Sequence, residues 1–162
     1  MNKIKPGDLI RIKINKEYLF LRALAYEDFA FYDFKSKTKN VDSKEIISKE
    51  IVFKTFINTR SIEDGDWKVV DNIPLDENLK NSKYYLTDAI DPNYFRIYNN
   101  GKITNSTKEK CIGLEIHAIW DPIHIYERIK DYYLGKENMV LKVLDSLGNY
   151  KIMNNYFSNK SE

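Results

Sequence analysis

Apolar and polar residues alternate in short runs along most of this chain, and the period lengthens from two toward four only beyond residue 121. After the turn signature Pro6-Gly7-Asp8, Ile10, Ile12 and Ile14 alternate with Arg11 and Lys13, which predicts a half-buried strand over Leu9–Ile14. Asn15-Lys16-Glu17 connects it to an aromatic-rich strand over Tyr18–Tyr26, and Glu27-Asp28 turns the chain into a third over Phe29–Phe34. Strands joined this tightly predict an antiparallel meander. The polar run Lys35–Asp42 has Val41 as its only apolar residue and reads as a loop. Ser43 is expected to cap a short helical turn reaching Ile47, before a strand over Ile51–Ile57. Trp67–Val70 reads as a short strand after the Asp64-Gly65 turn, and Asp71–Lys83 as irregular chain in which Pro74 excludes a central strand.

Farther on, Tyr94–Tyr98 and Lys102–Thr104 flank Asn99-Asn100-Gly101, a hairpin signal because Asn-Gly tolerates the positive φ of a type I′ turn. The stretch Cys111–Gly135 predicts a strand feeding directly into a helix. Ile112, Leu114, Ile116, Ala118 and Trp120 alternate with Gly113, Glu115, His117 and Ile119. Asp121 then reads as an N-cap, Pro122 as the first helical residue and Gly135 as the terminator. Within that helix Ile125, Tyr126, Ile129, Tyr132 and Tyr133 share a face at three and four residue spacing, leaving Glu127, Arg128, Lys130 and Asp131 for the wet side. From Lys136 onward the pattern fits both a helix through Met139–Leu147 and a hairpin around Leu147-Gly148-Asn149.

These elements predict an α+β fold: a mainly antiparallel, twisted sheet or partly open small barrel with one C-terminal amphipathic helix, about residues 122–134, packed on it. A chain of 162 residues with 43% hydrophobic and 14% aromatic content has enough material to fold as one domain. Its core is expected over about 5–135, with 136–162 as an extension. The single cysteine, Cys111, excludes an internal disulfide, and no apolar stretch has signal-peptide or membrane-spanning length, so a cytoplasmic setting without membrane contact is expected. The net charge of +2 hides an uneven distribution. Residues 1–60 carry thirteen Lys and Arg against eight Asp and Glu, whereas Glu63, Asp64, Asp66, Asp71, Asp76 and Glu77 face only Lys68. Turn-rich chain accumulates Asp for conformational reasons, but such a run also creates a local field that steers charged partners.

Candidate chemistry is sparse. Glu115 and His117 fall on one face of their predicted strand, about 7 Å apart by the rise of a β-strand, and so form a candidate acid–base pair. The polar face of an amphipathic strand accounts for them equally simply. His124 adds a second imidazole, short of the three or four ligands of a metal site, and no metal or other cofactor is expected. Cys111 reads as a small buried hydrophobe, Trp67 and Trp120 as core residues. Arg11, Lys13 and Arg22 interleave with Tyr18, Phe20, Tyr26 and Phe31, as in single-stranded nucleic-acid binders. The chain lacks the basic excess of such modules, which makes nucleic acid the secondary alternative.

Taken in order, KPGDLIRIKI, YLFLRAL, FAFYDF, DWKVVDNIPLDE, YFRIYNNGKIT and GLEIHAIWDPIHIYERIKDYY resemble the bacterial immunity protein 26 family of polymorphic toxin systems. The resemblance rests on Gly7-Asp8, on Trp67 followed by Ile73-Pro74-Leu75, and on Gly113-Leu114-Glu115 with Trp120 before the helix. It implies a non-enzymatic protein that binds and neutralises a cognate toxin domain by surface complementarity. On that implication the acidic residues Glu63, Asp64, Asp66, Asp71, Asp76 and Glu77 are the first candidate contact surface, suited to a basic, nuclease-like toxin site.

Overall fold

The computed structural model describes residues 4–25, 27–61 and 67–149. Their contacts divide the chain into two compact units, one formed by residues up to Lys80 together with Ile119–Tyr126, the other by Asn81–Ala118 and the chain from Glu127 onward.

In the first unit the expected meander is present as β1 (Asp8–Ile14), β2 (Glu17–Ala25) and β3 (Asp28–Ser36), antiparallel throughout. Helix α1 (Ser43–Ile47) follows, with β4 (Ile51–Ile57) and β5 (Trp67–Asn72) completing the long strands. The cap of α1 lies one residue earlier than expected: Asp42, in extended conformation, accepts the Lys44 N–H, which frees the Ser43 hydroxyl for another partner. The six-stranded sheet runs β10-β4-β3-β2-β1-β5, where β10 is the two-residue strand Ile119–Trp120. It is open, with β5 and β10 as its edges. Period-two alternation gives this sheet two apolar faces. Leu9, Phe20, Leu24, Ala30 and Tyr32 form a cluster with Ile46 of α1 and Leu79 of the short helix α2 (Glu77–Lys80). On the opposite face Phe29 meets Trp67 edge-on and Phe31 stacks on Phe53.

The second unit holds a four-stranded sheet, in the order β8 (Lys102–Ser106), β7 (Phe95–Asn99), β6 (Lys83–Thr87) and β9 (Glu115–Ile116). The hairpin of β7 (Phe95–Asn99) and β8 (Lys102–Ser106) turns at Asn100 and Gly101, both at positive φ, as the Asn-Gly signal requires. Its central strand β6 (Lys83–Thr87) begins where the sequence pattern gives only irregular chain; Tyr84 and Tyr85 are fully buried there. A five-residue strand buried on both faces leaves no alternation to detect. Helices α2 and α3 (Lys108–Cys111), four residues each, are equally invisible to periodicity.

The expected continuous strand over 111–120 is corrected. Cys111 ends α3, Gly113 sits at φ +82°, and only Glu115–Ile116 (β9) and Ile119–Trp120 (β10) are extended pairs, belonging to different sheets and parallel to β6 and β4 respectively. Accordingly Ile112 is exposed and Glu115 is buried, opposite to a simple alternation. Helix α4 (Pro122–Tyr133) matches its expected start, with the Asp121 carbonyl accepting from Ile125, and it buries Ile125 and Ile129. Arg128, expected on the wet side, is buried as well. Gly135 at φ +62° and the Lys136 N–H bonded to the Asp131 carbonyl end the helix. In the tail Met139–Leu144 is helix (α5), capped by the Asn138 side chain on the Leu141 N–H; the hairpin alternative fails over these residues, and its second arm lies outside the described residues.

Candidate functional site

Of the six acidic candidates, Glu63, Asp64 and Asp66 lie outside the described residues. Asp71, Asp76 and Glu77 are all exposed, and they bracket the passage from the edge strand β5 into α2. The edge is bulged. Ile10 pairs with Val69 and Leu9 with Asp71, so Val70 is an extra residue, and both valines are substantially exposed, 49% and 40%. The Asp71 carboxylate accepts from the Ser43 hydroxyl and from the Asn72 N–H, and these bonds hold its pKa below the ordinary carboxylate value. The Asp76 carbonyl accepts from Leu79 and Lys80 at the opening of α2, while Glu77 pairs with Lys80 at 2.6 Å in full view of solvent.

Beneath this segment lies a polar clamp that the alternation does not reveal. The Gly7 carbonyl accepts the Ile73 N–H at 2.9 Å, and Gly7 stands at φ +90°. A Cβ there would lie 2.5 Å from the Ile73 carbonyl oxygen, so both conformation and space demand glycine. Buried Asp8 accepts from the Lys5 N–H and from the Asn72 side-chain amide, each at 2.7 Å. Arg22, one of the cations on which the secondary nucleic-acid alternative rests, is not on the surface. It is 2% exposed, donating from Nη2 to the carbonyls of Ile73 (3.0 Å) and Pro74 (2.6 Å) and from Nη1 to the Tyr32 hydroxyl (3.2 Å). Thus Gly7-Asp8 and Ile73-Pro74, two of the motifs behind the family resemblance, meet in space as a structural joint.

The other candidates resolve into scaffold. The Glu115 carboxylate accepts from Arg128 Nη2 at 2.7 Å, with both side chains 7% exposed. His117 lies past the end of β9, its ring 4.5 Å from that of Tyr98 and 6.1 Å from that of Tyr84, and burial lowers its pKa. That leaves the ring neutral near pH 7, packed among aromatics. Sequence position carries a clue to Arg128: it stands three residues after Ile125, on the flank of the apolar face. Tyr85, whose pKa is raised by burial and by Asp145, hydrogen-bonds that buried carboxylate. Asn149 donates to the carbonyls of Cys111 and Leu114.

Cys111 is fully buried and its thiol pKa is pushed up by desolvation, which disfavours the reactive thiolate. Trp67 and Trp120 are buried as expected, Trp67 donating Nε1–H to the Tyr126 hydroxyl at 2.8 Å. Among the described residues no group of three His, Cys, Asp or Glu is placed to hold a metal. The nucleic-acid alternative loses its platform: Phe20 and Phe31 are core, Tyr26 lies outside the described residues, and Tyr18 is half-buried with Arg11 and Lys13 over its ring.

No helix among the described residues is long and apolar enough to cross a membrane. Comparison with curated proteins and with solved structures finds no match to this chain. The Immunity protein 26 family model matches residues 5–96, a span that contains the Gly7-Asp8 turn, Arg22, Trp67 and the Ile73-Pro74 joint but ends before β9 and α4. With more than half its length covered by that match, the chain belongs to the Immunity protein 26 family.

Proposed function

We propose that this protein protects a cell by binding a cognate toxin domain through the acidic edge that ends β5 and opens α2. Membership of an immunity protein family makes a toxin system its setting, and families of this kind generally act by binding rather than catalysis. The observation that carries the choice of surface is the exposure of Asp71, Asp76 and Glu77 together on one short, anchored stretch, beside the exposed Val69 and Val70. Glu63, Asp64 and Asp66 precede the same strand in sequence and extend the same charge. An apolar centre with a charged surround is the usual anatomy of a specific protein interface. Exposed carboxylates suit a basic target, such as the substrate groove of a nuclease, where they speed encounter and block the polyanion.

The test is protection in cells. The toxin domain encoded beside this gene is co-expressed with the wild-type protein or with a variant in which Asp71, Asp76 and Glu77 are replaced by Lys. The reading expects growth with the wild type and at least a tenfold loss of survivors with the charge-reversed variant at equal soluble protein. Full protection by that variant overturns it.

A further inference from the structure

We infer that Arg22 is the positioning residue of the toxin-binding edge: its buried guanidinium holds the Ile73–Pro74 carbonyls and so sets where Asp71, Asp76 and Glu77 stand. This inference rests on the proposed acidic surface. Arg22 sits on β2 opposite Leu9 of β1, and β1 in turn pairs with β5. Its side chain therefore reaches across about two strand spacings, roughly 10 Å, to chain that has just left the sheet. There it satisfies two carbonyls where Pro74 has no N–H to offer and the ladder has ended.

The chemistry of this grip is unusual for a purely structural core. Among the described residues every hydrogen-bond partner of the guanidinium is neutral: two carbonyls and the Tyr32 hydroxyl, with Nε buried and unpartnered. Removing a cation from water without a carboxylate to face it is unfavourable, and a large apolar side chain at this position would join Leu9, Phe20, Leu24 and Tyr32 without that penalty. What an apolar residue does not supply is a planar group whose one terminal nitrogen, Nη2, bonds two successive carbonyls while the other, Nη1, is fixed on the Tyr32 hydroxyl. The three exposed acids all lie within four residues of those carbonyls: Asp71 two before Ile73, Asp76 two after Pro74 and Glu77 three after it. The Gly7 carbonyl, in the turn that opens β1, accepts the Ile73 N–H, so the segment is tied both to that turn and to β2. A charged partner then meets carboxylates already in place, without the entropic cost of ordering a free loop.

The test compares the full-length protein with Arg22→Met, which fills the volume without donors, and Arg22→Lys, which keeps the charge on a shorter side chain with a single nitrogen in place of the two that hold Tyr32 and the carbonyls. Amide hydrogen exchange by mass spectrometry is followed over peptides spanning 72–80 and, as an internal reference, over β2 and β3. Affinity is measured for the toxin domain encoded beside the gene. The inference expects exchange over 72–80 to quicken at least tenfold in both variants, with β2 and β3 unchanged, and affinity to fall about tenfold. The Lys variant serves if Met disrupts folding. Unchanged exchange over 72–80 overturns the positioning role. Quickened exchange with full affinity also overturns it, provided that replacing Asp71, Asp76 and Glu77 weakens binding. If neither the Arg22 nor the acidic replacements alter affinity, it is the acidic surface itself that fails.

Discussion

Gly7 and the pair Glu115–Arg128 show what a single residue decides in this protein. At φ +90° with the Ile73 carbonyl oxygen 2.5 Å from where its Cβ would be, Gly7→Ala meets both backbone strain and backbone overlap. We expect it to cost about 2–4 kcal/mol, the sum of one left-handed residue and a clash that only backbone movement relieves, read as a fall in the urea midpoint. Glu115→Ala removes the carboxylate that faces the buried Arg128 guanidinium at 2.7 Å and is expected to cost about 3–5 kcal/mol, whereas replacing both partners by Met is expected to recover most of that loss. Equilibrium unfolding of the two variants separates these outcomes. A carboxylate in an alternating strand looks the same in sequence whether it faces water or an arginine thirteen residues away. For that reason Glu115 and His117 look like a chemical pair in sequence, and Arg22 like a surface cation. His117 gives a pH signature. Burial lowers its pKa below 6.5, so the folded state resists a proton that the unfolded chain accepts. Its contribution is therefore fully present above about pH 7 and is lost as pH falls through 6.5 toward the lower folded value. A plot of melting temperature against pH, from about 7.5 down to about 5, is expected to decline less steeply for His117→Gln than for the wild type.

At the scale of elements, legibility follows length and period. The meander of β1, β2 and β3, strand β4 and helix α4 are readable because each carries a sustained pattern, and the β7–β8 hairpin because Asn100-Gly101 names its turn. Strand β6 and helices α2 and α3 are not, since four or five residues show no period. The run from Cys111 to Trp120 misleads for the opposite reason: a good alternation is shared between two two-residue ladders in different sheets, a division set by their partners β6 and β4. The hairpin offers a clean check. A Cβ added at Gly101 would meet nothing within 4 Å, but the residue stands at φ +81°. Gly101→Ala is therefore expected to lose only the conformational term, about 1 kcal/mol, in thermal or urea unfolding.

For the molecule as a whole, the family match ends at residue 96, so it takes in β1 to β5 of the first unit's sheet, its bulged edge and the Gly7–Arg22–Ile73 joint, together with β6 and the start of β7. The acidic stretch is legible in the sequence as charge, but its anchoring is not, because Gly7, Arg22 and Ile73 are distant in the chain and come together only through the β2-β1-β5 order. The proposed function is one of presentation: the passage from β5 into α2 carries exposed carboxylates beside exposed valines, and on that proposal their field drives encounter with a basic toxin. The most direct measurement is the stopped-flow association rate with the toxin domain encoded beside the gene, over a series of salt concentrations, for the wild type and the variant with Asp71, Asp76 and Glu77 replaced by Lys. The account predicts a wild-type rate that falls steeply with salt, and a variant at least tenfold slower at low salt with that dependence largely removed. Equal rates and equal salt dependence for the two proteins would contradict it.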